Sequence, residues 1–376
     1  MLDVPVSLLD RARTRAGEPD ALALTGAVDR ARRADALGYR RFWVAEHHAV
    51  PGVAGSAPAV LAGAVLGATT HLRAGSGGVM LPNHAPLVVA EQFAALAALH
   101  PGRVDLGVGR SPGFTAPVRR ALRRAGAADG PAASDEDFAR DLEELRAHLA
   151  GEAEVTARPQ GVDVPLLVLA TGAGLAVAAR LGLPVVVGGP LLAPLLGRDE
   201  PEDAEQDGGS DDGRGAAARS RSALEGYRET YRPSAREPRP RVLVALDVLV
   251  AEDAGTATEL ALPEAWAMAE ARTRGAFPPL QPVAALRART PSRSEERHLA
   301  AAARTAVAGT PEQVEQALAR LVARTGAEEV LATSSTTDRS ALARSDALLA
   351  GLSRPAVAAA RARAAATATG TGVSPR

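Results

Sequence analysis

Short, nearly continuous apolar runs recur along this chain, and each leads into a longer Ala/Leu-rich stretch with charges at helical spacing. Eight runs read as strands: VPVSLLD (4–10), RRFWVAE (40–46), LRAGSGGVM (72–80), VDLGVGRS (104–111), PLLVLATG (165–172), PVVVGGP (184–190), RVLVALDVLV (241–250) and EEVLATS (328–334). Runs without polar alternation suit parallel strands covered on both faces. The intervening pattern predicts helices over 20–37, 56–69, 86–99, 135–150, 173–182, 217–230 and 311–325, with another at 338–351 after the last strand. Eight strands, each followed by a helix, predict a (β/α)8 barrel. A doubly wound open sheet is the alternative, but the Gly-rich first turn of a dinucleotide fold is absent after strand one.

Three stretches break the pattern. GRDEPEDAEQDGGSDDGRGA (197–216) is acidic, Gly-rich and almost without apolar residues, so it reads as a disordered surface insertion. The Ala/Thr/Gly-rich end, 353–376, reads as a fraying tail, which leaves residues 1–352 as one barrel domain. Residues 275–310 are rich in Pro and Arg and fall between the last two strands, where a long barrel loop can serve as a lid.

Composition narrows the classes. The 376 residues are 46% hydrophobic, enough for a sizeable core, and the net charge of -1 gives no pull toward nucleic acid or an anionic membrane. Every basic side chain is arginine, read as coding bias rather than chemistry. With no cysteine, disulfides, thiolate nucleophiles and Cys-ligated metal centres are excluded. No signal-peptide pattern opens the chain, and no apolar run reaches the roughly 18–20 residues of a membrane helix, so a soluble cytoplasmic protein is expected.

In a (β/α)8 barrel the active site lies at the C-terminal ends of the strands. Strand two ends in Glu46-His47-His48, and strand three in Gly77-Gly78-Val79-Met80, leading to Asn83-His84. Strand four ends in Gly107-Val108-Gly109-Arg110-Ser111, strand five in Ala170-Thr171-Gly172, and strand eight in Thr333-Ser334. Adjacent side chains on an extended chain point to opposite faces, so His47 and His48 cannot readily share a metal ion. General acid/base work at a pocket and a polar loop cluster remain as readings of this segment. The Gly-rich turn ending in Arg110 suits a phosphate or other oxyanion, although Arg110 could instead pair with a carboxylate. Thr171-Gly172, opening a helix, is a second anion site by the same reasoning, or simply a small-residue helix start. Two glycines inside strand three fit either a close approach to a flat ligand or ordinary packing.

Taken together, FWVAEHHAVPG (42–52), the glycine pair in SGGVMLPNHAP (76–86) and RVDLGVGRSPG (103–113) resemble the luciferase-like flavin-dependent monooxygenases. The likeness is weaker through LGLPVVVGGP and returns in VAGTPEQVEQALARLVARTGAEEVLATS, covering most of residues 4–352. It implies a barrel that takes reduced FMN from a separate flavin reductase. The reduced flavin and O2 form a C4a-hydroperoxide that oxygenates an aldehyde or another small organic substrate. It further implies that His47 is the acid/base group beside the flavin, with Glu46 supporting it. Gly77-Gly78, often joined by a cis peptide in the family, would lie against the flavin ring. Gly109, Thr171 and Gly172 would contact the cofactor, and Arg110 its phosphate. The chain departs from its relatives at Ala170-Thr171-Gly172, where they commonly have a Gly-Ser-Ser segment. It departs again at Gly188-Gly189-Pro190-Leu191, where they often carry a polar His-Phe segment. The alternatives are an F420-dependent hydride-transfer oxidoreductase on the same fold and a flavin-binding relative without catalysis. Helices 56–69 and 86–99 are apolar on more than one face, which together with the resemblance implies a homodimer.

Overall fold

The computed structural model describes residues 1–111, 113, 115–122, 134–170, 172–196 and 213–368. Chain order is β1 (Val6–Asp10), α1 (Ala21–Ala36), β2 (Arg41–Val44), α2 (Pro58–Ala68), β3 (Arg73–Met80), α3 (Pro86–Leu99) and β4 (Val104–Gly109). Then come α4 (Ala116–Ala121), α5 (Asp135–Ala150), β5 (Leu166–Ala170), α6 (Gly174–Leu181), β6 (Val185–Gly188), α7 (Gly213–Glu229), β7 (Val242–Leu246) and β8 (Val248–Val250). The chain ends with α8 (Ala254–Arg274), α9 (Val283–Arg287), α10 (Arg293–Thr305), β9 (Val307–Gly309), α11 (Pro311–Thr325), β10 (Glu329–Ala332), α12 (Arg339–Gly351) and α13 (Arg354–Ala368).

Strands β1 to β7 and β10 close into a parallel barrel in the order β1-β10-β7-β6-β5-β4-β3-β2. The predicted (β/α)8 barrel is the observed fold. Side-chain alternation explains why its strands look uniformly apolar. Leu9, Trp43, Leu167, Val186, Leu243 and Leu331 point inward and form one cluster inside the barrel. Leu8, Phe42, Val44, Val168, Val244 and Val330 join the layer shared with the helices, among them Phe93 of α3 and Leu318 of α11. Fully burying each such side chain contributes on the order of 1.5–3 kcal/mol.

Strand β3 carries no inward side chain at Gly77, because the space is already filled. A Cβ there would lie 2.7 Å from Leu9 Cδ1 and 3.0 Å from Trp43 Cε3. The pairing of β3 with β4 shifts register between Ser76 and Val79, at the Gly77–Gly78 peptide, which is cis.

Three segments differ from the sequence expectation. The predicted strand 241–250 divides at Asp247: β7 stays in the barrel, while β8 pairs with β9 in a separate two-stranded sheet. The aperiodic region 275–310 contains α9 and α10, and its start is strapped down. Gly52 N–H bonds Phe277 O (2.8 Å), Leu280 N–H bonds Thr14 O (2.9 Å), and the Arg13 guanidinium lies 4.1 Å above the Phe277 ring. Helix α13 occupies most of the stretch expected to fray. Ala-rich sequence favours helix, and α13 docks closely at Gly38 (φ +84°), where a Cβ would collide with Ala356 O. Of the acidic stretch 197–216, residues 213–216 begin α7 and the remainder lies outside the described residues.

Candidate active site

A cavity of about 430 Å³ opens at the C-terminal end of the barrel. It is lined by Ala45, Glu46 and His47 after β2, Gly77, Gly78 and Met80 of β3, and Gly109, Arg110 and Ser111 at the end of β4. Phe138 of α5, Leu169 and Ala170 of β5, and Gly174 of α6 complete it. The structure thus brings together Glu46, His47, Gly77, Gly78, Gly109 and Arg110. Gly172 sits in the β5–α6 turn (φ +60°) and is not part of this lining, while Thr171 lies outside the described residues.

One wall is bare backbone. A Cβ at Gly78 would meet Gly107 O and Leu169 Cδ1, both at 2.9 Å, so that side is closed by the neighbouring strands. At Gly109, among the described residues, the only atom a Cβ would approach is Leu169 Cβ at 4.0 Å. The space beside Gly109 is therefore room that any side chain there would occupy.

The opposite end is charged. Arg110 Nη1 donates to Asp135 Oδ1, the first residue of α5, and both side chains are somewhat over a third exposed. Ser134 caps α5 by accepting from Asp137 N–H (3.0 Å) and thereby holds Asp135 in place. Gly174, the first residue of α6, lies at the same end, where helix amides and dipole favour an anion.

Glu46 is held on every side. Its Oε2 accepts Met80 N–H (3.0 Å), and its Oε1 accepts from His48 Nε2 (2.6 Å) and His84 Nε2 (2.7 Å). Burial would raise this carboxyl, but the hydrogen bonds from His48, His84 and Met80 prevail and hold it down at about 2. His47 points elsewhere. Burial, then the nearby Arg11 and Arg13 cations, pushes its imidazole down to about 4. Its backbone N–H bonds Gly55 O (2.8 Å), fixing the loop that carries it.

A second polar cluster covers the β1–β10–β7 side of the mouth. Arg11, just past β1, donates to Glu264 of α8, to Asp247 Oδ1 (2.7 Å) and to Thr333 Oγ1 (2.8 Å). Arg13 Nε donates to Glu264 Oε2 (2.9 Å). Burial opposes charge on Glu264, yet Arg13 and Arg11 keep its carboxyl below the usual range. Burial pushes Asp247 up against the pull of Arg11.

The strand-end rule names Met80 and Ser111, which line the cavity, without giving them a role; sequence reasoning missed Phe138 and Leu169 as lining residues, and missed His84 and Arg11 as partners. Arg11 had a readable signal, because it directly follows the first strand. His84 had none, because its meeting with Glu46 depends on the turn Leu81–Asn83.

A closed parallel barrel with its cavity at the C-terminal mouth is the architecture of a (β/α)8-barrel enzyme. The chain belongs to the luciferase-like monooxygenase family, whose model matches residues 4–206. It is 34% identical to the uncharacterized protein YvbT of Bacillus subtilis (strain 168) over 354 residues, 93% of this chain and 96% of that one. Among solved structures, apo-MsnO8 superposes with a TM-score of 0.77 at 31% identity, covering 93% of this chain and 98% of its own. More distant structures share the fold alone. One is the oxygenating constituent of 3,6-diketocamphane monooxygenase from Pseudomonas putida in complex with FMN (TM-score 0.65, 15% identity, 93% of this chain and 97% of that one). Another is an F420-dependent secondary alcohol dehydrogenase (TM-score 0.63, 17% identity, 95% and 99%).

Proposed function

We propose that this protein is a flavin-dependent monooxygenase that uses reduced FMN and O2 to oxygenate an aldehyde or another small organic substrate. The carrying observation is one cavity with a bare glycine wall, a histidine at one side and an arginine at the far end. Its volume lies in the range of cofactor sites, roughly 300–1,000 Å³. The residues fit a flat ring with a phosphate tail. Gly77 and Gly78 give the ring a bare backbone wall, Gly109 leaves space beside it, and Arg110 with the start of α6 would receive the phosphate. Bound reduced flavin supplies the electrons that activate O2. The chain's own part is to orient ring and substrate, exclude water, and move a proton at the His47 imidazole. Glu46 braces the wall by holding Met80 N–H. A separate flavin reductase delivers the reduced cofactor.

Titration with FMN and with F420, followed by O2 consumption over a panel of aldehydes, tests this reading. Saturable FMN binding and aldehyde-stimulated O2 uptake are expected; selective F420 binding with hydride transfer overturns it.

Because Arg110 already pairs with Asp135 through Nη1, that carboxylate competes with an incoming phosphate for the guanidinium. Arg110→Ala is expected to weaken FMN binding by about 10- to 100-fold, the worth of a charge-assisted hydrogen bond. Asp135→Asn is expected to act in the opposite sense, tightening FMN by no more than about 5-fold, since exposed ion pairs contribute at most about 1 kcal/mol. Calorimetric titration of both variants reads the two signs.

The protein is further proposed to form a homodimer through α2 and α3. Val60 (75% exposed), Val88 (47%) and Leu99 (73%) present apolar side chains there. Light scattering at micromolar concentration should give twice the chain mass; a monomer mass refutes the assembly.

A further inference from the structure

The Glu46–His48–His84 cluster is not accounted for by the flavin chemistry. Neither histidine is among the residues lining the cavity. Both instead turn their Nε2 atoms onto one oxygen of a buried carboxylate, at 2.6 and 2.7 Å. His48 comes from the loop after β2, two residues beyond Glu46. His84 comes from the neighbouring loop after β3. The ligand atoms of the three side chains all lie within 4.8 Å of one another.

We propose that Glu46, His48 and His84 form a binding site for a divalent transition-metal ion such as Zn2+ or Co2+. Two imidazoles and one carboxylate are a recurrent donor set for such ions, one that leaves further positions for water. The second shell is in place, since Met80 N–H fixes the other carboxylate oxygen. An entry route exists too: the Glu46 side chain is fully buried, whereas those of His48 and His84 are 19% and 29% exposed.

Geometry sets the required adjustment. Ligand atoms about 2.0–2.1 Å from a tetrahedral ion stand roughly 3.3 Å apart. The two Nε2 atoms must therefore retreat from Oε1 by about 0.6 Å each, which rotation of two partly exposed rings supplies. The ion takes the place of the two Nε2 protons: each ring binds as neutral imidazole with its one remaining proton on Nδ1, so a neutral ring changes tautomer and only a charged ring releases a proton to solvent. Bound there, it ties the loop after β2 to the loop after β3. The site does not depend on the identity of the cofactor.

The test uses the full-length, untagged chain, stripped with chelator and then titrated with Co2+ by visible absorption and with Zn2+ by calorimetry, without flavin. Stoichiometric binding is expected, with the absorption of a nitrogen- and oxygen-ligated Co2+ ion. His84→Ala is expected to weaken binding at least about 100-fold, since even outer-shell changes cost 10- to 100-fold. His84→Gln can still donate to Glu46, and guards against a folding defect; it should melt like the parent and lose the metal equally. No saturable binding at millimolar metal overturns the proposal. So does binding that survives in both His84 variants, because it then belongs to other histidines of the chain.

Discussion

His47→Ala is expected to abolish oxygenation of the organic substrate while FMN binding stays within a few-fold of the parent. Positioned acid/base groups typically contribute 10²- to 10⁴-fold, and on the proposed reading the loss falls in the chemical step. Two features separate it from a general disruption. The backbone N–H of residue 47 still bonds Gly55 O, so the loop keeps its path. Arg110, the cation proposed to receive the cofactor's phosphate, sits on a different strand end, and its pairing with Asp135 does not involve residue 47. Reduced FMN supplied directly, with O2 uptake and oxygenated product measured together, reads the outcome. Continued O2 uptake without product is the expected signature. Unchanged product formation in this variant would sink the assignment of His47.

The barrel was legible because its strands have two buried faces and its helices one. The core of a run such as PLLVLATG, LLVLA, carries no polar residue to confuse the period, and β5 appears where it places it. The strand-end rule then converted the strand list into a site list, and it located most of the lining without any view of the fold. Illegible features share one property, dependence on residues far apart in sequence. The end of β7 is set by Asp247 meeting Arg11, 236 residues away. Helix α8 escaped notice because Pro263 sits inside it and its buried residues include Glu264 and Glu270, which hide an apolar stripe. Glu264 is buried because Arg11 and Arg13 wait for it. The pairing of His48 with Glu46, and not with His47, likewise needed His84 to be seen beside them.

The same distance effect hides the barrel floor, which yields the second large prediction. Asp105 of β4 is fully buried and accepts from Arg41 Nη1 (2.6 Å), Trp43 Nε1 (3.1 Å), and Arg73 Nε and Nη2 (2.9 and 2.6 Å). Arg41 Nε also donates to Glu329 of β10, whose Oε1 accepts from Ser7 Oγ of β1 (2.5 Å). Five strands are therefore cross-tied at their N-terminal ends, opposite the cavity. Asp105→Ala leaves the Arg41 guanidinium with one carboxylate instead of two, and the Trp43 N–H with none. Removing one member of a buried charged set costs about 3–5 kcal/mol. A fall in the urea midpoint of corresponding size is expected, with FMN affinity nearly unchanged in the fraction that remains folded. A change within experimental error would show that the cluster contributes no net stability. Burial would raise the Asp105 carboxyl, but Arg41 and Arg73 prevail and lower it. The native state therefore binds this proton less readily than the unfolded chain, whose aspartates titrate near 3.9. The contribution is complete above that value and is lost as pH falls through it toward the lowered native value. Acid titration of the parent should show this loss, and Asp105→Ala should flatten that part of the stability curve.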